Sequence, residues 1–539
     1  THALSSLYRT AIGILACLSL PVLAVDPSGK PLLNFFQVTP PPKQVRITVD
    51  GLAPYQRTEK PLVDDQGRVR VIVDFMDSAK EPFLDAARGA MDRFVPGLDR
   101  HHPQALFMLD AKFKQYDIQP EYRRNERGEQ ERTNITTWVG ASLAAYLNAA
   151  QIDALRKDED VRLVTEDHPI GLSAPPPWAQ TSSGGEVNDW GWNAVSGKSV
   201  ETVKPAGSNR IVWIVDTGVA DHLDLPSVIS RYNVDGGPTV GCYAHSTHVA
   251  GIIGATSGNG FGRRGVYAGV KMRSVNAGGG SGCANFGNVP YTGVNNPSAY
   301  ALGQALDHVY NNSIVYWTNP GPNVVNLSMN PKTETGFSSS GVALSNQPKI
   351  AKLAQPAFPF PDFFRYYPGN VVVQSAGNIA QDACNNSPLL PPNGTQQDGT
   401  FIYKPYASST TTDPADGILV VGALNSSGQP ANPLSHPPTN VAGSATDDPG
   451  SNYGNCIDIW APGDLIYSTW GASPTTLQGT QYSAYGYLSG TSMAAPHVAA
   501  AAAYYIDKLG LSTPAQVEQT LRSTANTALP SGLNMVQLQ

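Results

Sequence analysis

The chain has 539 residues, 41% of them hydrophobic, and a formal net charge of −7 with a pI near 5.8. Its length exceeds one typical domain, and the apolar content is enough for a sizeable buried core. The acidic balance offers no basic field, so neither nucleic acid nor an anionic membrane is an expected partner.

The N-terminus carries Arg9, the apolar stretch Ala11 to Leu20 and then Pro-Val-Leu-Ala24, the layout of a signal peptide over residues 1–24. Such a stretch is too short to span a bilayer. No methionine opens the chain, so an incomplete N-terminus is expected. No other run nears the roughly 18 apolar residues of a membrane span, which predicts a secreted chain, extracellular or, in a Gram-negative cell, periplasmic. Residues 25–67 show no readable pattern and are taken as a leader.

Residues 68–168 are rich in charge and read as a small α+β unit. Val69 to Phe75 predicts a strand, Glu81 to Phe94 an amphipathic helix, and Ala105 to Phe113 and Thr133 to Ala141 further strands. Ala150 to Asp158 reads as a short helix and Val161 to Asp167 as the last strand. Gly171 to Trp178, with three consecutive prolines, reads as an exposed linker over about 169–178.

From residue 179 onward, strand-like runs recur, of which Ile211 to Val215 is continuously apolar. Ile211 to Val215, Val270 to Val275, Asn323 to Leu327, Val371 to Val373 and Ile418 to Ala423 predict buried parallel strands of an α/β domain. Open sheets of that kind build their sites at the carboxyl ends of strands, where the first run delivers Asp216. His245 precedes Ser-Thr-His-Val-Ala-Gly251, a small and apolar stretch suited to a packed helix. Ser492 lies in Gly490-Thr-Ser-Met-Ala-Ala-Pro-His497, where Pro496 is tolerated near a helix start and the alanines after it suit a crowded interior.

These three residues suit nucleophilic catalysis. A serine hydroxyl is a weak nucleophile near neutral pH; it needs a neutral imidazole to take its proton and a carboxylate to fix that imidazole's tautomer. A helix start at Ser492 would expose the hydroxyl and aim backbone N–H groups at an oxyanion, and a second donor is expected from a side chain. Taken singly, each piece has an ordinary reading as a turn, a core or metal histidine pair, or an N-cap. Their order and number argue against that.

The order Asp, His, Ser and the motifs around Asp216-Thr-Gly, His245 and Ser492 resemble the subtilisin-like serine peptidases (subtilases) over roughly residues 176–530, particularly the proteinase K and aqualysin-like branch. The resemblance implies a subtilisin-like parallel sheet flanked by helices and a serine endopeptidase working through an acyl-enzyme. In it Asp216, His245 and Ser492 are catalytic, Asn378 forms the oxyanion hole and His248 is structural. Tyr243 and His497 are taken as structural or supporting residues. Ser246 stands where these enzymes usually have Gly, and a capping role at the helix start is expected of it.

Residues 68–168 resemble the inhibitor-type propeptide of the same family, which implies a ferredoxin-like βαββαβ fold, an intramolecular inhibitor and maturation between His168 and Pro177. The resemblance also implies that Cys242 pairs with Cys283 and Cys384 with Cys456; four cysteines alone leave three connectivities open. Ser328, Met329, Asn330, Ser375, Ala376 and Gly377 match the segments lining the substrate pocket, although the family commonly has Gly where Asn330 stands. Gly278 to Gly282 resembles the edge that pairs with extended substrate.

The insertions at 289–297 and 333–369 have no readable role. No cofactor is required for the chemistry; structural calcium is possible by family, without ligands fixed here. Proteins and peptides are the expected substrates, and a monomer is expected. An esterase would need a Gly-x-Ser-x-Gly elbow and the order Ser, Asp, His, and a non-catalytic binding protein would lack a triad group; the sequence fits neither.

Overall fold

The computed structural model describes residues 24–25, 31–32, 64–75, 101–124, 130–137, 140–167, 170–172, 179–181, 185–199, 210–234, 236, 239, 244–277, 299–313, 322–331, 370–378, 380, 382–383, 415–435, 450–470 and 484–539.

A first unit holds β1 (Val69–Phe75), α1 (Pro103–Gln115), β2 (Ile135–Thr136), β3 (Ala141–Leu147), α2 (Ala149–Leu155) and β4 (Val161–Glu166). These four strands form an antiparallel sheet in the order β2-β3-β1-β4, and Tyr122–Arg124 pairs separately with Gln130–Arg132. Strand alternation gives the sheet two buried faces. Val69, Val71, Val73 and Phe75 pack with Ala105, Met108, Leu109 and Phe113 of α1 and Ile152 and Leu155 of α2. Ile72 and Ala144 point the other way, into the core of the larger domain.

Two expectations are corrected here. Ala105 to Phe113 is not a strand but lies within α1, because Ala105, Met108, Leu109 and Phe113 recur at the three- and four-residue spacing of one helix face. The single strand expected over Thr133 to Ala141 is two, β2 and β3, with Gly140 at φ 156° just before β3. The helix expected over Glu81 to Phe94 falls outside the described residues, as does nearly all of the expected signal peptide.

Two short strands follow the unit, β5 (Ile170–Leu172) and β6 (Ala179–Thr181). The larger domain then runs through β7 (Ile211–Asp216), β8 (Val228–Asn233), α3 (Ala244–Gly254), β9 (Lys271–Asn276), α4 (Ala299–Ser313), β10 (Asn323–Leu327), β11 (Met329–Pro331), β12 (Asn370–Ser375), β13 (Ile418–Leu424), β14 (Ile459–Pro462), β15 (Ile466–Trp470), β16 (Ala484–Leu488), α5 (Thr491–Leu509) and α6 (Pro514–Thr524). Seven of these strands form one parallel sheet in the order β8-β9-β7-β10-β12-β13-β14. Strand order reverses at β7 and β10, so the crevice past their carboxyl ends is the switch point where such sheets bind ligands.

Both faces of this sheet are covered, which explains the unbroken apolar run of β7. Val212 and Ile214 pack with Val249, Ile252 and Ile253 of α3 and the alanines Ala499 to Ala503 of α5. Ile211, Trp213 and Val215 pack on the opposite face with Ala301, Leu302, Ala305 and Leu306 of α4. The small residues set distances: a Cβ on Gly251 would lie 2.2 Å from Thr469 Oγ1, so only glycine lets α3 approach β15 so closely.

Candidate active site

Asp216 ends β7 at the switch point, fully buried. Its Oδ1 accepts hydrogen bonds from Thr217 N at 2.7 Å and Thr217 Oγ1 at 3.1 Å, and contacts His245 Nδ1 at 3.0 Å. With a carboxylate on Nδ1, that nitrogen carries the proton and Nε2 is left as the acceptor, the tautomer a general base needs. His245 is the second residue of α3, 5% exposed, and its Nε2 has no hydrogen-bond partner among the described residues.

Ser492 is the second residue of α5, whose N-cap is Gly490 at φ 152°. Its Oγ donates to Ser328 O at 2.9 Å, and Ser328 Oγ donates back to Ser492 O at 2.9 Å. This pair ties the helix start to the segment between β10 and β11. The Ser492 hydroxyl is buried, not exposed as the motif alone suggested, because it is turned onto the Ser328 carbonyl. The first four N–H groups of a helix have no intrahelical partner, which makes the start of α5 a source of donors for a developing anion.

Asn378 follows β12 by way of Ala376 and Gly377, the latter at φ 99°. Its Oδ1 accepts from Thr491 N at 2.9 Å and Thr491 Oγ1 at 2.8 Å, and Thr491 Oγ1 in turn accepts from Gly377 N at 3.0 Å. Asn452 holds the loop from behind, donating through Nδ2 to Ala376 O at 2.7 Å and through its backbone N to Gly377 O at 2.8 Å. With Oδ1 fixed by Thr491, the Asn378 amide has one orientation, and Nδ2 is its donor end. Asn378 and Ser492 are thereby linked through the residue that precedes the serine.

The remaining sequence-selected residues divide by place. Ser328 and Met329 are buried beside Ser492, Asn330 lies in β11, and Ser375, Ala376 and Gly377 form the approach to Asn378. His248 ties α3 to two other strands, its Nε2 reaching Ile466 O at 2.9 Å and Gly486 O at 3.2 Å. His497 is buried with Nδ1 on Met493 O at 2.8 Å. Ser246 does not form the expected cap: it is the third residue of α3, and its Oγ is buried without a partner among the described residues.

Tyr243, Cys242, Cys283, Cys384, Gly278 to Gly282 and both insertions lie outside the described residues. Cys456 is buried and disulfide-bonded, its partner being outside the described residues. Among the described residues no group of three or more His, Cys, Asp or Glu could hold a metal ion, so no calcium ligands are assigned. No described helix is long and apolar enough to cross a membrane. Sequence reasoning missed Thr491, Thr217 and the Ser328 carbonyl as parts of the site. Thr491 adjoins the serine in sequence, but its partner Asn378 is 113 positions away, and only the fold reveals the pairing.

Residues 207–537 match the model of the subtilase family. The chain is 29% identical over 398 residues to "Alkaline protease 1" of Aspergillus clavatus, covering 72% of this chain and 74% of that protein. It is 27% identical over 463 residues to "Extracellular serine proteinase" of Thermus sp. (strain Rt41A), covering 84% of this chain and 83% of that one. Among solved structures, fervidolysin from Fervidobacterium pennivorans, "a keratinolytic enzyme related to subtilisin", matches with a TM-score of 0.49 at 19% identity, covering 88% of this chain and 61% of that chain.

Proposed function

The chain belongs to the subtilase family of serine peptidases, and on that premise we propose that it is a secreted, self-processing endopeptidase whose triad is Asp216, His245 and Ser492. The observation that carries the reading is the contact of His245 Nδ1 with Asp216 Oδ1 at 3.0 Å beside the linked Asn378, Thr491 and Ser492. For attack, the Ser492 hydroxyl leaves the Ser328 carbonyl and gives its proton to His245 Nε2 as Oγ bonds to the substrate carbonyl carbon. Asp216 stabilises the imidazolium that forms. The oxyanion is met by Asn378 Nδ2 and an N–H at the start of α5, donors held in place before the charge develops. The imidazolium then protonates the leaving amine, and water, deprotonated by the same ring, hydrolyses the acyl-enzyme.

Residues 68–168 act as the propeptide and intramolecular inhibitor, and proteins and peptides are the substrates. Support comes from the seating of the first unit on α4. Tyr300 N donates to Asp167 Oδ1 at 2.9 Å, and Gln304 Nε2 donates to Thr133 O at 2.9 Å. Ile72 and Ala144 join the core beneath. Ser328, Met329, Asn330, Ser375, Ala376 and Gly377 line the substrate pocket; the disulfides are Cys242 with Cys283 and Cys384 with Cys456, a reading supported by the disulfide-bonded state of Cys456.

The test is secretion of the wild type and of Ser492→Ala from a protease-deficient host. Self-processing predicts a wild-type chain cut between His168 and Pro177 and a variant that stays full length after signal removal. Normal maturation of the variant would refute it.

A further inference from the structure

In a regular helix the carbonyl of residue 492 would accept the N–H of residue 496, four positions on. Residue 496 is proline, which has no N–H, and it lies inside α5, beyond the first four N–H groups that a helix leaves free. The helix therefore offers the Ser492 carbonyl no donor at that position. Ser328 supplies one from outside: its Oγ donates to Ser492 O at 2.9 Å. Ser328 Oγ is held in turn by Asn326, whose Nδ2 donates to it at 2.9 Å. A carbonyl can only accept, so the Ser328 proton points at Ser492 and its oxygen is left to receive from the amide; the relay has one direction.

Asn326, Ser328 and Ser492 are all fully buried. Asn326 stands in β10 opposite Ile214 of β7 and Val373 of β12, the strands that lead to Asp216 and to Asn378. An amide in the middle of such a sheet costs free energy unless it is hydrogen-bonded. The bond that Asn326 makes goes to the residue that holds Ser492.

From these contacts, and resting on the reading of Ser492 as nucleophile, we infer that Asn326 and the Ser328 side chain are positioning residues for catalysis. Through Ser328 Oγ they replace the hydrogen bond that Pro496 removes and fix the backbone from which the Ser492 hydroxyl is aimed. The two ends of Ser328 act separately: its carbonyl holds the resting hydroxyl, and its own hydroxyl holds the Ser492 backbone. When the Ser492 hydroxyl leaves that carbonyl for His245 Nε2, the first of these bonds is lost. The bond from Ser328 Oγ is the one of the pair that keeps Ser492 in place during attack.

The test is steady-state kinetics on a peptide amide with the processed full chain as wild type, Ser328→Ala, Asn326→Leu, their double variant, and Ser328→Ala in a Pro496→Ala background, beside Ser492→Ala. Ser328→Ala should lower kcat roughly 10- to 10²-fold with KM nearly unchanged, the upper figure being that of a misplacement of about 1 Å. Asn326→Leu should lower kcat by a smaller factor, and the double variant should lose no more than Ser328→Ala alone, because Asn326 acts through Ser328. Alanine at position 496 gives Ser492 O an N–H again, so in that background Ser328→Ala should cost less than about threefold.

A Ser328→Ala kcat equal to that of wild type, a loss confined to KM, additive losses in the double variant, or an undiminished loss in the Pro496→Ala background would each overturn the inference, while an inactive Ser492→Ala leaves the triad standing. Wild-type activity in Ser492→Ala removes the triad reading, and the inference falls with it. If Ser328→Ala yields no folded chain, Asn326→Leu decides alone: a lowered kcat at unchanged KM supports the inference, and an unchanged kcat overturns it.

Discussion

Asn378 and Thr491 hold one another: Asn378 Oδ1 accepts both the backbone N–H and the hydroxyl of Thr491, at 2.9 and 2.8 Å, so the residue preceding Ser492 sets the orientation of the side chain proposed as oxyanion donor. Removing a single oxyanion donor typically costs roughly 10²–10³ in kcat. Asn378→Ala should show a loss of that size with KM nearly unchanged. Thr491→Val removes one of the two donors and keeps the other, so its loss should be smaller, about tenfold, again in kcat. Steady-state kinetics on a peptide amide decide this; a change confined to KM would contradict it.

In the proposed triad the base and nucleophile act as a unit, so His245→Ala and Ser492→Ala should each reduce kcat by a similar large factor, on the order of 10⁶. Asp216→Asn should cost about 10⁴, because an amide facing Nδ1 can donate to it and favour the wrong imidazole tautomer. Single-turnover measurements on purified variants provide the check, and small, equal losses in all three would be inconsistent with the triad.

Packing at Gly251 gives a stability prediction independent of the chemistry. The Cβ of Gly251→Ala would meet Thr469 Oγ1 at 2.2 Å and Ser468 Oγ at 2.3 Å, and both hydroxyls already donate to α3, to Thr247 O and His248 O at 2.7 Å each. Overpacking of this kind costs about 1–3 kcal/mol. Thermal unfolding in the Ser492→Ala background should show a lowered Tm, and an unchanged Tm would contradict the close approach of α3 to β15.

Acid stability follows from three buried groups. Burial first, and then the charge of Arg263, holds His248 well below the usual imidazole range, and the same two causes in the same order push His497 down to about 3. An unfolded histidine titrates at about 6.5, so the unfolded chain takes up two protons here that the native chain refuses. Stability from these groups is present above about pH 6.5 and is lost as pH falls toward the folded values. Asp224 has the opposite sign: burial raises it to about 6, against hydrogen bonds from Asn259 Nδ2, Arg263 N and Tyr485 Oη. Between about pH 6 and 3.9 the native state binds that proton first, which offsets one of the two. Each unmatched proton is worth about 1.4 kcal/mol per pH unit. Urea unfolding of Ser492→Ala at pH 7, 6 and 5 should show falling stability, and His497→Gln should remove one proton from the slope; no change in slope would refute the assignment.

Much of the larger domain was legible because its strands are buried on both faces. Ile211 to Val215, Asn323 to Leu327 and Ile418 to Ala423 have no polar alternation to confuse, and each occupies the sheet where its apolar run lies. Ala105 to Phe113 misled for the converse reason: a short apolar run does not separate strand from helix. Pro103 at the first turn and Lys112 and Lys114 in the last were the signals that favoured α1. Within the site, Asp216, His245 and Ser492 stand in motifs that can be read locally. The Ser328–Ser492 reciprocity and the Thr491 hold on Asn378 join residues more than a hundred positions apart, and no local pattern encodes such pairs.

In the proposed mechanism Ser492 is the nucleophile and His245 activates it. The most direct test is labelling of the processed enzyme with a fluorophosphonate, followed by mapping of the modified peptide. One adduct is expected, on Ser492, formed rapidly by the wild type, strongly slowed in His245→Ala and absent from Ser492→Ala. An adduct on another residue, or equal labelling of wild type and His245→Ala, would contradict it.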